Sequence, residues 1–374
     1  MIRKLFKQLH IWLSIPLGVV MSITCFTGAV LIFEGEITRS IYRDMYYVDD
    51  VRSAPLSIDE IIAAVEPALI EGQKIMSIAT FDDAERSYEV ALSAPDSKTL
   101  LVDQYSGEIR GETQKIELFR TMFRMHRWLM DSRPTDGGVF WGKLIVGIST
   151  LMMALVILTG IVIWWPKSLK MWLSRSKMAL RLGWHRFWYD MHVVGGIYAT
   201  LLLLVMALTG LTWSFTWYNK GFYALFGAEA SRGGKHGSKG MVREGGDTVT
   251  DYQHWQDIYG RLAAANPDAP KITISDGTAS VAPVGVINKR ATDSYTFDTT
   301  TGEITSEDLY RARTKSRKMR GVIYSLHVGN FGGMFTRVLW FLAAMLGATL
   351  PLTGYYLWIR RMVVKRRAKA KIRG

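Results

Sequence analysis

The chain has 374 residues, 49% hydrophobic and only 21% charged, with a formal net charge of +13. That apolar share is high for a soluble protein and is concentrated in four uncharged runs, Ile11 to Phe33, Leu144 to Trp165, Val193 to Tyr218 and Val338 to Ile359. The single cysteine, Cys25, lies inside the first run and excludes a disulfide framework, a thiolate metal cluster and a thioether-linked prosthetic group.

Each run reaches the roughly 20 residues that a helix needs to cross about 30 Å of hydrocarbon. The first transmembrane helix is expected over 1–35. It is too long for a signal peptide and no small-x-small site follows Phe33, so it reads as an uncleaved anchor. An external domain over 36–137 opens with the capping box Ser57-Ile58-Asp59-Glu60 and a helix through Ala64. There Tyr88, Val90 and Leu92 alternate with polar neighbours, and Leu100 to Val102 lead into a turn at Gly107, which predicts a helix packed on a small antiparallel sheet. The second span is expected over 138–165, a basic loop over 166–184 and the third span over 185–218. A second external domain over 219–326 begins with the Gly- and Lys-rich stretch Gly227 to Gly246, too poor in apolar residues to pack and expected to be a mobile loop. The fourth span, 327–361, and a basic tail, 362–374, complete the chain.

Orientation follows from Lys and Arg near the span ends. The first nine residues, the segment 166–186 and the segment from Arg360 to Arg373 together hold seventeen cations and no acid, so the rest of the chain is net negative. Both termini and the central loop are therefore expected in the cytoplasm. The basic balance is a topology signal, not a sign of nucleic-acid binding. Tryptophans near the span ends, among them Trp141, Trp164, Trp165, Trp213 and Trp358, fit the membrane interface, and Pro16 and Pro351 are expected to kink the first and fourth helices.

The sequence also repeats itself at long period. Leu9-His10 is followed seventeen residues after the histidine by Thr27-Gly28, and Met191-His192 at the same offset by Thr209-Gly210. The second and fourth spans carry Leu158-Thr159-Gly160 with Trp164 and Leu352-Thr353-Gly354 with Trp358. Outside the spans, Asp103-Gln104-Tyr105-Ser106-Gly107-Glu108 matches Asp298-Thr299-Thr300-Thr301-Gly302-Glu303, and His126 and His327 each stand just ahead of a span with Gly-Gly following. The chain reads as two copies of span, domain, histidine, span, over about 1–165 and 183–361.

With these motifs in order over nearly its whole length, the chain resembles the PepSY-associated transmembrane family, and within it the inner-membrane ferric-siderophore reductases. It departs from them in lacking an Arg directly after His10, where Ile11 stands. The resemblance implies a bacterial inner-membrane, mainly α protein with four transmembrane helices from an internal duplication and two periplasmic α+β PepSY-like domains. It further implies b-type haem and reduction of ferric siderophore in the periplasm; with Cys25 alone any haem is expected to be non-covalent, and the histidine pairing below makes the expected number two.

The histidines bear on this from chemistry alone. Imidazole is an axial ligand for haem iron, and an ionisable residue at membrane depth is costly unless it has a task. Two half-chains in the same orientation imply a pseudo-two-fold axis along the membrane normal. Equivalent residues then meet across it, pairing His10 with His192 near the cytoplasmic face and His126 with His327 near the periplasmic face. Gly195, Gly196, Gly329, Gly332, Gly333 and the Thr-Gly pairs would relieve a porphyrin of side chains, or serve as ordinary small-residue helix contacts. His185, seven residues before His192, is an alternative ligand on the same helix face; His236 and His254 read as surface residues or substrate contacts. No flavin or dinucleotide signature is present, so the electron donor, a quinol or a cytoplasmic flavoprotein, is external. A haem-bearing electron-transfer subunit for a partner protein and a non-redox anchor regulating a peptidase are the competing readings.

Overall fold

The computed structural model describes residues 1–52, 54–179, 182–230 and 252–373; most of the Gly- and Lys-rich stretch, with His236 in it, lies outside the described residues. The chain divides into two units: Met1–Glu34, Ile116–Phe226 and Ile323–Gly374 form one, Gly35–Lys115 and Gly227–Val322 the other.

In the helical unit, four helices are long and apolar enough to cross a membrane: Ile2–Leu31, Trp141–Trp164, Trp184–Ser214 and Asn330–Ala368. They are called the first to fourth spans below. The first packs on the second and fourth, and the third packs on the same two. At the centre lie Cys25, Ala199, Leu203, Ala343 and Ala348, mostly small residues that let backbones approach. The outward faces expose Trp12, Val19, Phe26, Ile148, Leu155, Leu201 and Leu342, a surface suited to lipid. The first and fourth spans remain helical through Pro16 and Pro351.

Two further helices supply this unit. Glu117–Trp128 precedes the second span, and Lys315–Val328 runs into the unit ahead of the fourth. The first falls wholly, and the second all but His327 and Val328, within segments expected to be external, 36–137 and 219–326. Arg120, Arg124 and Arg127 make the first of them polar enough to resemble soluble chain, yet the unit boundary lies at Ile116.

The sheet unit differs more from expectation. Instead of two domains it holds one eight-stranded antiparallel sheet in the order β4-β3-β2-β1-β5-β6-β7-β8. The strands are β1 Ile75–Phe81, β2 Tyr88–Leu92, β3 Thr99–Val102, β4 Ile109–Glu112, β5 Lys271–Ser275, β6 Thr278–Val281, β7 Asp293–Phe297 and β8 Ile304–Asp308. Two four-stranded meanders join edge to edge through β1 and β5, with Ser77 opposite Ser275 and Ile78 opposite Ile274. Pairing removes the exposed strand edge each meander would otherwise present. One core serves both, drawing Ile58, Ile61, Ile78 and Val90 from the first half and Trp255, Ile258, Ile274 and Phe297 from the second.

The helix Ile58–Val65 begins at the expected capping box, with Glu60 N donating to Ser57 Oγ at 3.2 Å and Ser57 N to Glu60 Oε2 at 2.7 Å. Its counterpart Trp255–Ala265 is tied to it where Ile58 N donates to Gln256 Oε1 at 2.7 Å. The two matched turns fold alike. Asp103 Oδ1 accepts from Tyr105 N and Ser106 N, Asp298 Oδ1 from Thr300 N and Thr301 N, and Gly107 and Gly302 supply the left-handed φ of 75° and 68°. The Thr300 and Thr301 amides hold the Asp298 carboxyl below the usual carboxylate range.

Candidate cofactor site

The four repeat-related histidines meet in two pairs inside the helical unit. His10 and His192 have ring centroids 6.2 Å apart with ring planes at 89°; His126 and His327 are also 6.2 Å apart, with planes at 57°.

Each ring is held by a neighbouring helix in the same way. Nδ1 of His10, on the first span, lies 3.1 Å from the Val156 carbonyl and 3.0 Å from Thr159 Oγ1 on the second. Nδ1 of His192, on the third, lies 3.0 Å from both the Leu350 carbonyl and Thr353 Oγ1 on the fourth. Nδ1 of His327 makes the same two contacts at 3.0 Å with the Met206 carbonyl and Thr209 Oγ1 on the third span. His126 uses one, the Thr24 carbonyl on the first span at 2.9 Å. Because carbonyls only accept, Nδ1 carries the proton in all four, and Nε2 is the nitrogen left for a ligand.

The glycine after each threonine makes room for the ring. A Cβ added at Gly28 would stand 2.8 Å from His126 Cε1, at Gly210 3.2 Å from His327 Cε1, at Gly354 3.3 Å from His192 Cε1 and at Gly160 3.5 Å from His10 Cε1. The Thr-Gly pairs are thus seats for histidine rings, a role distinct from both expected ones, relief for a porphyrin and ordinary small-residue helix contact. Gly195 and Gly196 pack on Leu346 and Leu350 of the fourth span, and Gly329 on Trp340, so these serve helix contact.

Local structure fixes the ligand helices. The third span opens into a π-turn over Met191–Gly195 at His192 itself, a distortion frequent at functional sites. The helix bearing His126 stops at Leu129 and Met130, both with positive φ (51° and 68°), and Asp131 Oδ2 then accepts from Gly142 N at 2.8 Å, clasping it to the start of the second span. The helix bearing His327 is clasped to the fourth span by Trp340 Nε1 donating to the Leu326 carbonyl at 2.8 Å and Thr336 Oγ1 to Gly329 O at 2.6 Å.

His185 is not part of this arrangement; its exposed ring stands 6.2 Å from Tyr356. His254 bonds the Thr300 carbonyl at 3.0 Å beside Gly302, a structural role in the sheet unit.

Among the described residues no group of three or more His, Cys, Asp or Glu that could hold a metal ion occurs. Two imidazoles per site, each with Nδ1 committed and Nε2 left, are a donor set that haem iron can use, its porphyrin supplying the other ligands. The held Nδ1–H is the orienting contact that ligating histidines usually have.

The sequence model of the PepSY-associated TM region matches residues 7–361. The chain belongs to that family. This PepSY-associated protein is accordingly a multi-pass membrane protein whose four spans contact lipid. No curated protein matches it.

Proposed function

We propose that this PepSY-associated protein is an internally duplicated di-haem carrier that takes electrons from a quinol or a cytoplasmic flavoprotein and reduces ferric siderophore in the periplasm. The carrying observation is the pair of matched bis-histidine sites, each at 6.2 Å and each with Nδ1 committed to a neighbouring helix. His10 and His192 ligate at the cytoplasmic level, His126 and His327 at the periplasmic level. Bound haem supplies a one-electron iron couple at each level. Val156, Leu350, Thr24 and Met206 carbonyls fix the ligand tautomer and raise its basicity, while the Thr-Gly seats orient the rings. The seventeen residues from His10 to Thr27 set the two levels about 25 Å apart along the first span.

At the periplasmic end one electron converts chelated ferric iron to ferrous iron. The hard oxygen ligands of a siderophore hold the larger, less charged ferrous ion more weakly, so reduction releases it. This chemistry needs no acid or base from the protein. The sheet unit is the periplasmic portion in this reading, and the acid-free basic segments stay cytoplasmic.

An absorption spectrum of detergent-purified protein before and after dithionite tests the reading. Two b-type haems per chain, fully extracted by acid-acetone, are expected; a colourless protein would sink the proposal and leave a non-redox anchor. Reoxidation of the reduced protein by ferric siderophore alone separates a reductase from a subunit serving a partner protein. A reporter fused after Gly374 should be cytoplasmic, and one inserted near Gly107 periplasmic.

A further inference from the structure

The helix Glu117–Trp128 carries three arginines, and two of them are provided for. Arg120 pairs with Glu117 at 2.7 Å, and Arg124 donates to the Met130 carbonyl at 3.0 Å and to Ser132 Oγ at 3.5 Å. Arg127 is different. It directly follows a ligand histidine and is half-buried, and its guanidinium lies near the Phe123 and Trp128 rings at 5.7 Å and 5.8 Å from their centroids. Among the described residues no acid and no hydrogen-bond acceptor pairs with it. Its charge is nevertheless close enough to act on both His126 and His327. The position is unmatched elsewhere in the site, since Ile11 follows His10, Val193 follows His192 and Val328 follows His327.

A guanidinium withdrawn from water keeps its five donors, and two aromatic faces offer none of them a hydrogen bond. A planar fork of donors matches a carboxylate. Haem b carries two carboxylates. We infer that Arg127 binds a carboxylate of the haem held by His126 and His327, and so keeps that haem's reduction potential higher than its own acid groups would set it. The inference rests on the di-haem reading above. Its electrostatic sense is simple: a positive charge near the iron disfavours the ferric state, which carries one more positive charge than the ferrous. At the level of His10 and His192 no arginine directly follows a ligand, so this contribution acts on the periplasmic haem and not on the other.

Redox potentiometry on protein in nanodiscs tests this, with Arg127→Gln, Arg127→Lys and Arg124→Gln beside the wild type. For Arg127→Gln the ferrous-to-ferric ratio of the periplasmic haem at fixed potential should fall tenfold or more, about 59 mV for one electron. That haem should also be lost faster to apomyoglobin, with the cytoplasmic haem unmoved. Arg127→Lys should retain most of the potential, and Arg124→Gln all of it. Wild type carrying two haems, with Arg127→Gln unmoved in potential and in haem loss, overturns the inference alone; wild type without haem overturns it together with the reading it rests on. A wild-type potential that follows the anionic-lipid content of the nanodisc and matches that of Arg127→Gln in neutral lipid would assign Arg127 to a lipid phosphate and also overturn it.

Discussion

His10 and His192 sit on two of the four long helices, whereas His126 and His327 sit on shorter helices that lead into the other two. Both pairs keep 6.2 Å between ring centroids and the same Nδ1 bond to a neighbouring backbone carbonyl. Around that shared frame they diverge: the first pair has rings at 89°, while the second has rings at 57°, Trp213 at 5.1 Å from His327, and Arg127 alongside. What is common to the two is what axial ligation requires. What differs is available to distinguish one centre from the other.

Ligand removal breaks the comparison most severely. His10→Ala and His192→Ala should each lose one haem and leave the other spectroscopically intact, and His126→Ala and His327→Ala should lose the opposite one. Variants within a pair should behave alike. If His10→Ala keeps both haems while His185→Ala loses one, the pairing is wrong. The seats come next, since outer-shell changes typically cost 10–100-fold in metal affinity. Gly28→Ala, whose Cβ would stand 2.8 Å from the ring, should lower occupancy of the His126–His327 haem far more than Gly160→Ala, at 3.5 Å, affects the other. Haem-to-protein ratios in the reverse order would refute the seat assignment.

Smaller effects sharpen the comparison. Thr159→Val, Thr353→Val and Thr209→Val each remove one hydroxyl contact while the carbonyl remains, and should cost about 0.5–1.5 kcal/mol of haem affinity. Thr27→Val should cost none, because the Thr27 hydroxyl bonds the Ile23 and Thr24 carbonyls and not His126. Equal losses at all four would show that the fourth seat is not exceptional. Ser57→Ala should lower the stability of the sheet unit by about 1 kcal/mol in a melt, with no change in the haem spectrum. Hydrogen bonds from the Ser57 amide and hydroxyl hold the Glu60 carboxyl below its usual range. Its share of the cap is therefore present above that range and is lost as pH falls through the lowered value.

Much of this was legible before any coordinates, for identifiable reasons. The spans announce themselves because about 30 Å of hydrocarbon imposes length and apolarity on each. The histidine pairs follow because a repeat with two copies turns four isolated residues into two relationships. The roles of Thr159, Thr209 and Thr353 were hidden, since a small residue in a helix looks the same whether it admits another backbone or an imidazole ring. The membership of Glu117–Trp128 in the helical unit was masked by its three arginines. The β1–β5 junction was beyond reach for another reason: alternation along Ile75–Phe81 reports which face is buried but says nothing about which strand lies at its edge.

That junction has a consequence for how the molecule is made. Ser77 and Ser275 lie about 200 positions apart in sequence, with the second and third spans between them, so the central strand pair is a contact of very high sequence separation. The first meander is synthesised long before the second exists and must wait, with β1 bare along one side, until both intervening helices have been threaded into the bilayer. During that interval β1 is the strand most open to pairing with another chain. Sheet closure is then a step that must follow the insertion of both intervening helices.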